Sequence, residues 1–213
     1  MLYRSGMKNS GSYDEKYAGK EYYWGKKPSS ICDRIIEIMR PSKVFHPKMI
    51  DLGCGEGRNA VHFAKHGFDV VGFDISEVGL ERAREYAEEE GVTLKTIKAD
   101  IASFELTEKY DVIFSTGTLH YLQAKSRAGH FQNYKCHTSE RGVNVFSVFV
   151  KKPFIKKAPD TTESEHSFRS GELMGYYWDW EIMHCNEEIF DCMSGGVPHE
   201  HAVNRVIARR PQR

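Results

Sequence analysis

Hydrophobic and polar positions along the chain follow two periods, one typical of strands and one typical of helices. Short apolar runs occupy residues 48–52, 68–73 and 143–150. A more polar stretch follows each of the first two runs, and the apolar residues within it have helical spacing. Strands that alternate with helices are typical of an α/β fold whose sheet is mainly parallel. The pattern therefore predicts this fold class.

Capping residues and chain breakers indicate where the helices begin and end. The first helix is expected to begin after Pro28 and to end before Pro41, and a charged helix at 78–90 is expected to begin after Ser76 and to end at Gly91. The other predicted helices are 59–66, 123–137 and 171–177, and the predicted strands are 48–52, 68–73, 93–99, 110–115, 143–150, 180–192 and 202–209.

The pattern changes after Lys151. Residues 152–167 carry two prolines and many polar side chains, which predicts an excursion across the surface. The last two strand-like runs are joined by residues 194–198, a segment with two glycines and a proline. They predict an antiparallel hairpin that closes the sheet.

A glycine-rich turn, Asp-Leu-Gly-Cys-Gly-Glu-Gly-Arg-Asn at 51–59, follows the first predicted strand. Glycines at the carboxyl end of a parallel strand let the backbone approach a ligand closely. A phosphate-binding loop of the GxxxxGK[ST] type needs a lysine that this turn lacks. A dinucleotide fingerprint spaces its glycines GxGxxG, whereas here the third glycine comes one residue early. The spacing therefore disfavours an NAD-dependent oxidoreductase.

The turn resembles motif I of the class I S-adenosylmethionine-dependent methyltransferases. The resemblance implies a Rossmann-like fold with a seven-stranded, mainly parallel sheet, a C-terminal antiparallel hairpin and helices on both faces. It also implies that the glycines pack against the methionine moiety, and that Asp74, at the end of the second strand, accepts hydrogen bonds from both ribose hydroxyls. The expected cofactor contacts are Asp51, Gly53, Cys54, Gly55, Gly57, Asn59, Asp74, Ile75, Asp100, Ile101 and Thr116.

Each of these residues also has a structural alternative. A lone GxGxG is a weak signal, Asp74 could cap the helix that follows Ser76, and Asp100 could be a solvated carboxylate in a turn. The matches lie at successive strand ends in the order that the family has. We therefore expect S-adenosylmethionine as the cofactor, with Asp100 and Ile101 near the adenine and Thr116 beneath the sulfonium.

Further motifs resemble the tellurite-resistance methyltransferases and their small-molecule relatives. The matching positions are 13–17, 55–59, 168, 171–173, 176–177 and 180–181. The chain departs from a related enzyme after the penultimate strand, where Phe190 and Asp191 replace a His-Arg pair. The resemblance implies methyl transfer to a small acceptor, such as a thiol or a chalcogen oxyanion, and the departure weighs against tellurite itself.

Four side chains are candidates for the acceptor site, namely His120, Tyr23, His199 and His201. A thiolate acceptor needs no base, whereas a hydroxyl or an amine would benefit from a histidine such as His120. Tyr23 lies in an aromatic segment at 17–24, which could close over the cofactor as a lid or pack as a surface arm. His199 and His201 share one strand face, where they could line the pocket, lie at the surface or form half of a metal site. The sequence shows no convincing third ligand, so we expect no metal.

Composition narrows the class of partner. Thirty Lys and Arg against 30 Asp and Glu give zero net charge among 213 residues, which disfavours a nucleic-acid partner. A mean hydropathy of −0.56 and the lack of a long apolar run disfavour a membrane protein. The polar N-terminus shows no secretory signal, and the five cysteines form no CxxC pair, which indicates a cytoplasmic protein with reduced thiols.

These features predict one methyltransferase domain. Residues 1–27 would form the aromatic lid segment, 28–151 the cofactor-binding core, and 152–213 the excursion, a helix and the closing hairpin. We expect a monomer or a homodimer that acts on a small molecule. The alternative is a non-catalytic S-adenosylmethionine-binding module whose helix faces serve a protein partner.

Overall fold

The computed structural model describes residues 10–40, 44–158, 165–193 and 196–212. The chain divides into two compact units. The first comprises residues 1–104 and 110–113, and the second comprises residues 105–109 and 114–213.

Short helices and short parallel strands build the first unit. In chain order they are α1 (Ser10–Tyr17), α2 (Ile31–Met39), β1 (Lys48–Leu52), α3 (Arg58–Lys65), β2 (Asp69–Asp74), α4 (Glu77–Glu89) and β3 (Lys95–Lys98). β1 pairs in parallel with β2, and β2 pairs in parallel with β3.

The apolar positions of the first unit explain why these elements form. Met49, Ile50 and Leu52 of β1 are fully buried, as expected for a parallel strand that is covered on both faces. α2 buries a single apolar face, and α4 begins where the side chain of Ser76 accepts a hydrogen bond from the Gly79 N–H at 3.0 Å. The predicted cap is therefore confirmed.

Longer antiparallel strands build the second unit. After β4 (Tyr110–Thr116), which contains residues of both units, come a 3₁₀ turn (Leu119–Tyr121), α5 (Ala124–Cys136), β5 (Thr138–Val150), α6 (Glu172–Gly175), β6 (Glu181–Cys192) and β7 (His199–Arg209). β7 pairs antiparallel with both β5 and β6. The predicted hairpin is thus confirmed.

Aromatic rings and one buried cation fill the interior of the second unit. Phe131 stacks on Tyr176 with ring centroids 4.2 Å apart, and the Arg127 guanidinium lies 3.7 Å from the centroid of Phe168. Arg127 also donates from Nε to the Leu122 carbonyl at 3.1 Å and from Nη1 to Glu172 at 2.7 Å. Its charge is therefore satisfied although the side chain is buried.

The strands form one seven-stranded sheet in the order β3-β2-β1-β4-β5-β7-β6. The predicted fold class, a mainly parallel Rossmann-like sheet with a C-terminal antiparallel hairpin, is confirmed. β7 begins at His199 rather than at Ala202, and the two larger differences are that the sequence did not predict α1 and that β5 begins at Thr138 rather than at Val143. Both extra segments are polar, so neither shows the apolar period on which such predictions depend.

Some predicted features lie outside the described residues. They are Pro41 at the end of the first helix, residues 159–164 of the excursion, and Ser194 and Gly195 of the hairpin turn. Within 152–158 and 165–167, the described parts of the excursion, there is no helix or strand, as expected.

Candidate functional site

The glycine-rich turn after β1 adopts a backbone that only glycine accommodates without strain. Gly53, Gly55 and Gly57 have φ values of 86°, 51° and 86°. A Cβ placed on Gly57 would lie 2.9 Å from the Ala83 Cβ, and one placed on Gly55 would lie 2.9 Å from the Tyr17 hydroxyl. The spacing seen in the sequence therefore reflects both left-handed conformations and close packing of the turn.

Asp74, at the end of β2, fastens this turn. Its carboxylate accepts hydrogen bonds from the backbone N–H groups of Gly55 at 2.8 Å and of Ser76 at 2.9 Å, and also from Ile75. Burial nevertheless raises the pKa of Asp74, since the loss of solvation outweighs these hydrogen bonds. A carboxylate offers about four acceptor positions, so roughly one remains for a ligand hydroxyl. Asp74 orders the turn, and its predicted contact with ribose stays a prediction.

Asp51, on β1 just before the turn, carries a buried carboxyl group with an unsatisfied oxygen. The side chain is 1% exposed, and Oδ2 has no hydrogen-bond partner among the described residues. Burial, with a smaller contribution from the negative charge of Asp74, raises the pKa of Asp51 to about 8, although Arg58 partly opposes the shift. A buried acceptor without a partner is unfavourable unless a ligand satisfies it.

Asn59 and Asp100, two further expected cofactor contacts, also have partners within the fold. Asn59 accepts a hydrogen bond on Oδ1 from the Ser29 N–H at 2.9 Å, which ties the segment before α2 to α3. Asp100 accepts one from the Ala102 N–H at 2.9 Å, which is the turn geometry that formed the structural alternative. Ile101 beside it is buried. The structure thus assigns local roles to Asn59 and Asp100, and their cofactor contacts are untested.

Cys54, within the turn, and Ile75, after β2, differ in their burial. Cys54 is buried against Gly72 of β2, where a Cβ would meet its Sγ at 2.9 Å. Burial, followed by the charges of Asp74 and Asp51, raises the pKa of this thiol, so it stays neutral and is no nucleophile. Ile75 is half-buried.

The aromatic segment at 17–24 packs on the turn and on α4. Arg82 donates to the carbonyls of Tyr17 at 2.7 Å and Gly19 at 2.6 Å, and the Tyr23 N–H donates to Glu56 at 2.7 Å. The Tyr17 side chain is 3% exposed, whereas Tyr23 is 38% exposed. These contacts place Tyr23 beside the glycine turn, and whether the segment opens as a lid is untested.

Sequence reasoning missed the pair that holds this segment in place. Glu56 is buried and lies 3.1 Å from the Arg82 guanidinium. Glu56 stands inside the glycine motif, so its position was visible, but nothing in the spacing identified Arg82 as its partner. Their role is to position the aromatic segment against the turn.

In the second unit, Thr116 is half-buried at the end of β4 and His120 is 4% exposed. The Nδ1 atom of His120 has no hydrogen-bond partner among the described residues, and its Nε2 lies 4.0 Å from a Glu165 carboxylate oxygen. Burial, reinforced by His201 and Arg127, lowers the pKa of His120 to about 3. The imidazole is therefore neutral and a weak base, which disfavours the general-base role considered for it.

His199 and His201 lie on one face of β7, as expected, with their Nε2 atoms 2.9 Å apart. The antiparallel register pairs His199 with Cys192 of β6. The ligand atoms of these three side chains all lie within 4.8 Å of one another. The structure thus places a third side chain of metal-binding type, Cys192, beside the two histidines.

The residues of the first unit fit S-adenosylmethionine. The unsatisfied Asp51 oxygen suits the ammonium of the methionine moiety, and the amide groups at the start of α3 suit its carboxylate. Gly53, Gly55 and Gly57 add no side chains of their own that would obstruct a ligand at this turn. Together they can hold a zwitterionic amino acid group.

Comparison with known proteins gives consistent matches. The family model of the tellurite resistance protein TehB matches residues 12–197. A probable S-adenosyl-L-methionine-dependent methyltransferase TehB of Haemophilus influenzae is 30% identical over 174 residues, which are 81% of this chain and 59% of that protein. The chain thus spans less than two thirds of this relative. A 2-heptyl-1-hydroxyquinolin-4(1H)-one methyltransferase of Mycobacteroides abscessus is 27% identical over 78% of this chain and 75% of its own length.

The crystal structure of TehB from Haemophilus influenzae shares the fold. It superposes with a TM-score of 0.75 at 24% identity, covering 95% of this chain and 67% of that one. Among the described residues, no helix combines the length and the apolar character that crossing a membrane requires.

Proposed function

The chain belongs to the TehB family, and from this premise we propose that it transfers a methyl group from S-adenosylmethionine to a small, soft acceptor such as a thiol or a chalcogen oxyanion. The observation that carries the proposal is the buried Asp51 carboxyl group, whose unsatisfied oxygen lies at the glycine turn of the matching family motif.

The first unit would hold the cofactor through charge and backbone contacts. The Asp51 carboxyl group would lose its proton and accept a hydrogen bond from the ammonium of the methionine moiety, because a nearby positive charge lowers the pKa of a carboxyl group. Asp74 would accept a hydrogen bond from one ribose hydroxyl while it continues to hold Gly55 and Ser76. When bound, the cofactor supplies an electrophilic methyl group on a sulfonium, and the protein's task is to align the acceptor and exclude water.

The low basicity of His120 supports a soft acceptor. A histidine with a pKa of about 3 cannot take a proton efficiently at neutral pH, so hydroxyl or amine acceptors would gain little from it. A thiolate or a chalcogen oxyanion carries its own nucleophilic lone pair and needs no proton removed. His120 would instead line the acceptor site as a neutral hydrogen-bonding group, and catalytic roles of Tyr23, His199 and His201 stay predictions.

The relatives agree with a small acceptor and leave its identity open. The name of the Mycobacteroides abscessus protein describes methylation of a hydroxyquinolone, which is a small molecule. We propose a monomer or homodimer that requires no nucleic acid and no metal for methyl transfer itself.

Turnover on a panel of acceptors tests the function. We expect S-adenosylhomocysteine to form with aliphatic thiols or selenite at rates above those with amines and alcohols. Tellurite belongs to the panel because the departure at Phe190 and Asp191 weighs against it. Asp74→Asn should abolish turnover with every acceptor, whereas Asp69→Asn, at a half-buried position on the same strand whose side chain is 44% exposed, should retain it.

Two results would overturn the proposal in different ways. If S-adenosylhomocysteine at millimolar concentration does not raise the melting temperature, the cofactor assignment is wrong, because a ligand that prefers the folded state must stabilise it. If the protein is stabilised but stays inactive across the whole panel, the non-catalytic binding module is the better description.

A further inference from the structure

Cys192, His199 and His201 form a cluster of metal-binding side chains at the end of the β6–β7 hairpin. Cys192 lies directly opposite His199 in the antiparallel register, and His201 lies on the same face of β7 as His199. The three are neither fully buried nor fully exposed, so an ion in solution can reach them. All three belong to the second unit.

Hydrogen bonds fix the protonation of the two imidazoles. His199 Nδ1 lies 2.7 Å from the Val197 carbonyl oxygen, which can only accept, so Nδ1 carries a proton. In the neutral ring, His199 Nε2 then has a lone pair. His201 Nε2, 2.9 Å away, must be the donor of the bond between the two rings. The carbonyl contact thus aims the lone pair of His199 at the centre of the cluster, as outer hydrogen bonds of metal-bound histidines do.

Packing restricts the ring of His201 in the same way. Its ring centroid lies 4.7 Å from that of Phe149 and 5.8 Å from that of Phe190. Both phenylalanines belong to strands that pair with β7. The imidazole is therefore held from both neighbouring strands while its Nε2 faces His199.

We propose that Cys192, His199 and His201 bind a divalent transition ion of the Zn²⁺ type, with one coordination position left for water or a small anion. One thiolate and two imidazoles form a ligand set that zinc prefers, and three protein ligands with an open position are typical of non-structural zinc sites. Tetrahedral zinc places nitrogen ligands about 3.4 Å apart, and nitrogen and sulfur about 3.6 Å apart. The two nitrogens, now 2.9 Å apart, must move about 0.5 Å further apart, and atoms separated by up to 4.8 Å must approach by up to about 1.2 Å.

Binding of the ion displaces protons from the cluster. The ion takes a lone pair from Cys192 Sγ, from His199 Nε2 and from His201 Nε2. The thiol proton is released to solvent, and the His201 proton moves from Nε2 to Nδ1 through solvent, so that both imidazoles stay neutral. One proton therefore leaves for each ion bound, and the charge of the cluster rises from zero to plus one.

Titration of the reduced 213-residue chain with Co²⁺ tests the proposal, because cobalt replaces zinc in tetrahedral sites and is visible in the absorption spectrum. We expect saturation at one equivalent, a thiolate-to-cobalt charge-transfer band, and loss of both signals when Zn²⁺ is added. Cys192→Ser should remove the charge-transfer band. His201→Gln should weaken binding by more than about 100-fold, since even outer partners of a metal ligand contribute 10–100-fold.

Cys136→Ser is the matched control, because Cys136 is an exposed thiol at the end of α5, outside the cluster. It should leave the spectrum and the affinity unchanged. Thermal melts in the presence of a chelator establish that each variant is folded. The proposal fails if the wild type gives no saturable cobalt signal, if Cys192→Ser keeps the charge-transfer band, or if Cys136→Ser loses it.

Discussion

The two units of the chain present their chemistry in different ways. In the first, Asp51 and three glycines lie within seven residues of one continuous motif, and Asp74 follows at the end of the next strand. In the second, they come from residues that only strand pairing or packing brings together, such as Cys192 with His199, or Arg127 with Glu172. Local sequence thus determines the candidate cofactor site, whereas tertiary structure determines the remaining clusters.

The two units also differ in the ionisable groups that they bury. The first unit buries the carboxyl groups of Asp51 and Asp74, and burial raises the pKa of both. The second buries the guanidinium of Arg127 and the imidazole of His120. A ligand with a positive charge is therefore expected at the first unit.

The largest effect is expected at the glycine turn. Gly57→Val should destabilise the protein by about 4 kcal/mol, because it adds left-handed strain to a clash with the Ala83 backbone. A Cβ at Gly57 would lie 3.1 Å from the Ala83 Cα. Urea unfolding measures the loss, and calorimetry should show at least about tenfold weaker binding of S-adenosylhomocysteine.

Gly67→Ala separates strain from close packing. Its φ of +85° matches that of Gly57, but no heavy atom lies within 4 Å of the added Cβ. We expect a loss of about 1–2 kcal/mol and unchanged ligand affinity. Equal losses at both positions would show that packing of the turn has no special importance.

Arg127→Met should affect the second unit. It removes the hydrogen bonds to Leu122 and Glu172 and should lower the free energy of unfolding by about 3 kcal/mol. Methyl transfer should fall, while S-adenosylhomocysteine affinity at low temperature should change by less than about threefold. Arg205→Met, which breaks a more exposed pair with Glu188, should change stability by less than about 1 kcal/mol. A large loss of cofactor affinity in Arg127→Met would contradict the view that cofactor binding depends on the first unit alone.

His120→Asn should have the smallest effect on transfer to thiols, below about threefold, because a group with a pKa of about 3 contributes little as a base. Lowering of a histidine pKa favours the neutral form, so His120 should add no inflection to the rate between pH 6 and pH 8. A loss of about 100-fold or more, with a wild-type inflection that the variant lacks, would restore the general-base role.

Sequence alone predicted the first unit well because its signals are local. The apolar run at Lys48–Leu52, the three glycines and the Ser76 cap each act on their neighbours in the chain. What the motif did not show was that Asp51 Oδ2 has no hydrogen-bond partner within the part of the chain that the structure describes, since this depends on every element packed around it. It also missed α1, whose polar residues are held by tertiary contacts such as Asp14 with Ser76.

The clusters of the second unit were harder to predict from the sequence, because they depend on contacts between residues far apart in the chain. His199 and His201 were visible as a pair with strand spacing, but Cys192 joins them only through the β6–β7 register. Likewise, the sequence placed His120 after β4 and gave no sign of the burial that removes its basicity. Register and burial depend on the whole fold, so residue spacing could not supply them.

Calorimetric titration of S-adenosylhomocysteine at pH 7, in buffers of different ionisation enthalpy, tests most directly whether the glycine turn and Asp51 form the cofactor site. Because burial raises the pKa of Asp51 to about 8, its carboxyl group is mostly protonated at pH 7, and pairing with the ligand ammonium should release roughly 0.9 proton. We predict one binding site with this release in the wild type, and weaker binding without it in Asp51→Asn. Absence of binding at millimolar ligand, or the same proton release in the variant, would contradict the account.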